Sequence, residues 1–152
     1  MDWKYLFLDS KGRIGQKDFW IGFLILFVAG LVLGMIPLLG FIISIALIYP
    51  QVCLFSKRLH DFGKSGWLYL VPIVITLVLA GAMGVMGGAA FMSGAGAMDA
   101  SAAAGLGVGA LLVGLLLLVV NLGFLLWVGL SKGDPGPNRY GPPQGSAVAG
   151  VF

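Results

Sequence analysis

Charged side chains are what this chain has least of. They make up 10% of its 152 residues, whereas a water-soluble domain carries about 25% because its surface must be solvated. A chain this poor in charge cannot cover itself against water, so its solvent is lipid. Cysteine is nearly absent: Cys53 stands alone, which excludes an intrachain disulfide and any paired-cysteine metal or redox motif. It reads as a small apolar helix residue. Histidine also occurs once, at His60, which argues against a zinc site built from this chain, and no cofactor is implied. A basic stripe interleaved with aromatics is missing too. The net charge of +3 therefore points to membrane topology and away from nucleic acid.

What is present is apolar: 59% of the residues are hydrophobic and the mean hydropathy is +1.02. Residues 1–18 mix Trp3, Tyr5 and Phe7 with Lys4, Lys11, Arg13 and Lys17, as expected of a cytoplasmic interfacial lead-in. The late start of the apolar run and the lack of a small-x-small site after it speak against a cleavable signal peptide. Residues 19–36 form a first charge-free run, with Gly15 placed to precede the helix and Asp18 in its first turn, where a carboxylate favours the helix dipole. Pro37 interrupts, and a second run covers 38–55. At 1.5 Å per residue each run is about 27 Å long, close to the ~30 Å hydrocarbon thickness, so the two predict a tight helical hairpin.

Pro50 predicts a kink or local break in the second span, with Gln51 beside it able to satisfy a freed carbonyl. The third run, 67–86, carries Pro72 in its first turns. Residues 87–105 are rich in glycine and alanine and include Ser93, Asp99 and Ser101, which predicts an exposed, partly helical periplasmic connection. The fourth run, 106–130, has Asn121 as its strongly polar residue, and an amide in lipid is expected to hydrogen-bond another helix. The tail, 131–152, is too rich in proline and glycine for a helix, and its end is expected to be disordered, although 136–142 has turn chemistry. The expected fold is an all-α membrane protein with four transmembrane helices in two hairpins.

With the N-terminus in the cytoplasm, all nine basic residues fall inside and none outside; Asp99 is the outside charge. Four spans with both termini cytoplasmic satisfy the positive-inside rule, and three or five would break it. The expected location is a membrane, crossed several times. Glycines four apart occur five times, but 25 glycines in 152 residues give about four such pairs by chance, so a small-xxx-small dimer motif is not established. No internal repeat indicates an inverted-repeat transporter.

Residues 56–67 are a polar island between two apolar runs. Lys57 and Asp61 lie four apart, Arg58 and Asp61 three apart. Gly63 suits a helix C-terminal cap, Ser65 can cap the next helix, and Gly66 belongs to the same turn. Lys57, Arg58 and His60 suit the negative end of a helix dipole, whereas Asp61 is unfavourable there unless a cation holds it. Three readings are open: a salt-bridged structural turn, a headgroup or partner site, and proton chemistry by His60 and Asp61. Adjacent helical residues point about 100° apart, which makes a direct relay between those two awkward. No catalytic residue is assigned.

Three motifs together carry a resemblance. Gly12-Arg13-Ile14-Gly15 followed by Asp18-Phe19-Trp20, then 58–67, then Gly136-Pro137-Asn138-Arg139-Tyr140-Gly141-Pro142, resemble the YhaH-like family of small bacterial inner-membrane proteins, a domain of unknown function. The likeness spans about residues 3–143, with departures at Gly15, Gln16, Lys57 and Pro143 and an enlarged glycine-alanine segment. It implies a four-span, multi-pass protein of the bacterial inner (plasma) membrane with cytoplasmic termini, and carries no biochemical activity. The expected function is that of a non-enzymatic structural or interaction protein. Arg13, Arg58, Asp61, Asn138, Arg139 and Tyr140 would form one network on its cytoplasmic face, with His60 and Trp67 at the edge. Gln51 and Asn121 would be interhelical polar contacts. The expected partners are the bilayer and its anionic cytoplasmic headgroups, with a homo-oligomer or membrane-protein partner open. Two alternatives remain at this level. A transporter or channel has only Asn121, Gln51, Thr76 and Ser44 to line a path, and a lipid-acting enzyme has only His60 with Asp61.

Overall fold

The computed structural model describes residues 2–36, 39–92 and 100–144. Among the described residues five α-helices follow in chain order: α1 (Trp3–Leu8), α2 (Gln16–Gly34), α3 (Leu39–Asp61), α4 (Leu70–Met92) and α5 (Ala100–Leu130). A short 3-10 turn, Gly66–Tyr69, precedes α4. The last four helices are each long and apolar enough to cross a membrane, and no strand occurs among the described residues. The chain divides into two compact units, one of Met1–Tyr69 with Leu126–Phe152 and one of Leu70–Leu125.

In the first unit α2 starts directly after Gly15, with Asp18 in its first turn. It packs against α3, and α1 packs against α3 as well. Gly22 lets the three come together, since a Cβ there would lie 2.7 Å from Leu54 Cδ1 and 3.2 Å from Leu6 Cδ2. Leu6, Phe19, Leu26, Cys53, Leu54 and Phe55 are buried around this crossing, with the Phe19 and Phe55 rings edge-to-face at 5.1 Å. The return from α2 to α3 is tight. Gly40 N donates to Ile36 O at 2.7 Å, and a Cβ on Gly40 would sit 2.7 Å from Gly34 O. Pro37 and Leu38 lie outside the described residues.

α3 runs through Pro50 as one helix, so the local break expected there is not found. A proline removes one ladder hydrogen bond, and 23 residues with packing on two sides hold the helix across it. Gln51 beside it accepts through Oε1 from Tyr69 Oη at 3.1 Å. That bond joins α3 to the 3-10 turn, and the Tyr69 ring stacks on Phe55 at 4.3 Å.

In the second unit the helices reach further into the glycine-alanine segment than its composition suggests. α4 continues to Met92, and α5 begins at Ala100. Alanine, the best helix former, offsets the cost of about 1 kcal/mol that each interior glycine adds, and no proline intervenes. Ser101 lies in α5, while Ser93 and Asp99 fall outside the described residues. The 31 residues of α5 correspond to about 46 Å, more than the ~30 Å hydrocarbon core. Between the two helices Asn121 Nδ2 donates to Thr76 Oγ1 at 3.1 Å.

Candidate functional site

The site grows from the way α3 ends. Gly63 takes φ +71, so its N–H donates back to His60 O at 3.1 Å while Lys64 N donates to Leu59 O at 2.9 Å. This is the Schellman pattern, with glycine where the left-handed conformation costs least. The Asp61 carbonyl is left for other segments, and it accepts from Asp134 N at 2.8 Å and from Arg13 Nη2 at 2.9 Å.

The Asp61 carboxylate holds two arginines. Oδ1 accepts from Arg13 Nε at 3.1 Å and Nη2 at 3.0 Å, and Oδ2 accepts from Arg58 Nη1 at 2.5 Å. These are the ion pairs among the described residues. Arg13 and Arg58 are 2% and 1% exposed, and Lys57 is fully buried beside them. Three buried cations against one carboxylate would be prohibitive without further partners.

Those partners are carbonyls at helix ends. Lys57 Nζ donates to Leu6 O at 2.9 Å and to Tyr5 O, in the last turn of α1, and lies 4.4 Å from the Tyr5 ring. Arg58 Nε donates to Val128 O at 3.2 Å near the end of α5, and its Nη2 to Ser131 O just past it. Arg13 meets Asp61 O at the end of α3. The last four carbonyls of a helix lack partners within it and carry roughly −0.5 of a charge. Three such ends and one carboxylate supply roughly −2.5 against three cations. The cations are buried because helix C-termini converge on them.

Arg13 also binds the tail, donating from Nη1 to Gly136 O at 2.8 Å and Gly141 O at 3.2 Å, and from Nη2 to Asp134 O at 2.7 Å. The tail is shaped for this. Asn138 and Gly141 exchange backbone hydrogen bonds of 3.1 and 2.9 Å, Asn138 Oδ1 accepts from Tyr140 N at 2.9 Å, and Gly141 takes φ +115. Asn138 Nδ2 donates to His60 O at 3.0 Å and to Asp134 Oδ2 at 2.8 Å. Tyr140 then stacks on the His60 ring at 3.7 Å, while Arg139 Nη2 reaches Gly63 O at 3.1 Å. Gln144 completes the strap at the start of α2, where Oε1 accepts from Gly15 N at 2.6 Å and Nε2 donates to Asp18 Oδ2 at 2.5 Å.

The N-terminal segment is tied down in the same manner. Tyr5 Oη donates to Arg13 O at 2.9 Å and accepts from Arg13 N at 3.1 Å. Burial pushes this hydroxyl above the ordinary tyrosine range, with the hydrogen bond to Arg13 opposing.

Arg13, Arg58, Asp61, Asn138, Arg139 and Tyr140 thus meet in one cluster, and His60 lies inside it, with Nδ1 donating to Gly12 O at 3.2 Å. His60 and Asp61 face different partners. Trp67 stays 77% exposed. Ser65 contributes its carbonyl, which accepts from Leu68 N at 3.1 Å to open the 3-10 turn. Gly66 fits because a Cβ would sit 2.6 Å from Ser56 Oγ. Sequence reasoning missed Tyr5, Gly133, Asp134 and Gln144, and the docking of Lys57 on α1. Gly133 passes so close to Asp61 that a Cβ would lie 2.8 Å from the carboxylate carbon. Asp134 alone had a local signal, four residues before Asn138. Chemically, the arrangement clamps: the Asp61 carboxylate is filled by guanidinium donors, and no group of metal-ligating side chains occurs among the described residues.

Four long apolar helices and a saturated polar cluster define a helical membrane protein. The chain belongs to the family of proteins of unknown function DUF805, whose model matches residues 7–142. It is similar to the uncharacterized protein YiiR of Escherichia coli (strain K12), 41% identical over 87 residues that cover 51% of this chain and 58% of that one. It is also similar to the inner membrane protein YhaI of the same strain, 33% identical over 84 residues that cover 48% of this chain and 71% of that one. The chain thus spans little more than half the length of YiiR. No solved structure matches.

Proposed function

We propose that the protein is a multi-pass protein of the bacterial inner membrane with a structural or interaction role, its N- and C-terminal segments cytoplasmic and its polar cluster on that face. The observation that carries this reading is Asp61 holding both Arg13 and Arg58, which joins the N-terminal segment to α3, while Arg13 and the Asp61 carbonyl also bind the tail. The distribution of the nine cations supports the orientation, and the relative named as an inner membrane protein supports the location. The partner surface is narrower than the charge count suggests. Arg13, Lys57 and Arg58 are buried, so anionic headgroups meet Lys4, Lys11, Lys17, Lys64, Lys132 and Arg139, all exposed.

The test uses single cysteines at Lys64 and Lys132 in a Cys53→Ser background. A membrane-impermeant maleimide is expected to label both in inverted inner-membrane vesicles and neither in intact spheroplasts. Labelling of either in spheroplasts reverses the orientation and removes the cytoplasmic face.

A further inference from the structure

The cluster leaves one polar feature unused, the pair of Asn121 on α5 and Thr76 on α4. Asn121 Nδ2 donates to Thr76 Oγ1 at 3.1 Å and to Leu117 O at 2.8 Å, which engages both amide hydrogens. Its Oδ1 has no donor among the described residues, and the Thr76 hydroxyl hydrogen has no acceptor among them. Asn121 is exposed, flanked on α5 by exposed Leu118 and Leu122. It lies nine residues before the end of α5 at Leu130, about 14 Å along the axis and so near the middle of a ~30 Å hydrocarbon layer. Water is not available there, and an amide oxygen left without a donor costs several kcal/mol.

What the pair has left over is one acceptor and one donor, a set that complements itself. We propose that α4 and α5 form the interface to a second copy of this chain, related by a two-fold axis. Each Thr76 hydroxyl donates to Asn121 Oδ1 of the other copy, while each Asn121 Nδ2 keeps its bond to Thr76 within its own chain. The four side chains close a ring in which every donor and acceptor is used once, as an isologous interface demands. Lipid tails can fill the apolar surface around the pair but offer neither donor nor acceptor. The inference uses α4 and α5 as membrane spans and is independent of which side the termini face, so it can fail while the orientation above holds.

The experiment is single-molecule photobleaching of the labelled full-length chain in lipid vesicles across a range of protein-to-lipid ratios. The wild type is expected to be dimeric at the higher ratios. Asn121→Leu and Thr76→Val are each expected to weaken dimerisation about tenfold or more, since each removes two interchain hydrogen bonds. The double variant should fall no further than the weaker single one, because the ring is a shared unit. Thr76→Val keeps the side-chain shape and guards against a misfolded Asn121→Leu. A wild type that stays monomeric at every ratio overturns the proposal, whether lipid or a different membrane protein covers the face. Dimers that Thr76→Val leaves unchanged overturn it equally.

Discussion

α3 and α5 are both membrane-length helices, yet 39% of the most apolar stretch in Ile42–Asp61 is buried within the protein, against 6% in Ala104–Leu130. The difference follows where polar groups sit. In lipid no hydrophobic force pushes helices together, because tails are as apolar as leucine, so close association depends on packing and directional hydrogen bonds. The end of α3 carries Lys57, Arg58, His60 and Asp61 and draws in α1, the Arg13 loop and the tail. Between Leu106 and Leu125 α5 offers Asn121 and otherwise presents side chains that lipid solvates as well as protein does. Specification of the fold is therefore concentrated in the first unit.

The largest effect that can sharpen this contrast comes from Asp61→Ala. Two buried guanidiniums would lose their counter-charge, at a cost of about 3–5 kcal/mol, and we expect the variant to unfold at markedly lower denaturant in mixed-micelle titrations. A midpoint equal to the wild type would show that helix-end carbonyls hold Arg13 and Arg58 unaided. Gly133→Ala comes next. A methyl group pressed against the Asp61 carboxylate must displace it or the strap, for about 1–3 kcal/mol, and hydrogen exchange along 133–144 should quicken. The smallest change is expected for Leu115→Ala, at a position on α5 that is 60% exposed. Its stability should stay within about 0.5 kcal/mol of wild type, and a loss above about 1 kcal/mol in dilute vesicles would mean that α5 is packed within the monomer after all.

Much of the architecture could be read in the chain itself. Spans of 18 or more apolar residues, the Gly15 start of α2 and the Gly63 end of α3 depend on neighbours a few residues away. The cluster was legible in part, because the Arg58 and Asp61 pair has helical spacing. Lys57 has the spacing to compete for the same carboxylate, but it turns instead to the carbonyls of Tyr5 and Leu6. Nothing local decides between them: i, i+3 and i, i+4 neighbours are equally within reach, and the outcome depends on where α1 docks. Trp67 shows the reverse case, a residue inside the central motif that the fold leaves exposed.

Sequence alone thus determined the helical class, the four long apolar segments and the grouping of cations at certain connections, because hydropathy and helix formation accumulate along the chain. Tertiary structure decided which cations are buried and what neutralises them. Arg13 finds its acceptors 48 residues away at Asp61 and 128 away at Gly141, and a buried charge is tolerable only where such distant dipoles converge. No pattern of neighbouring residues encodes that convergence.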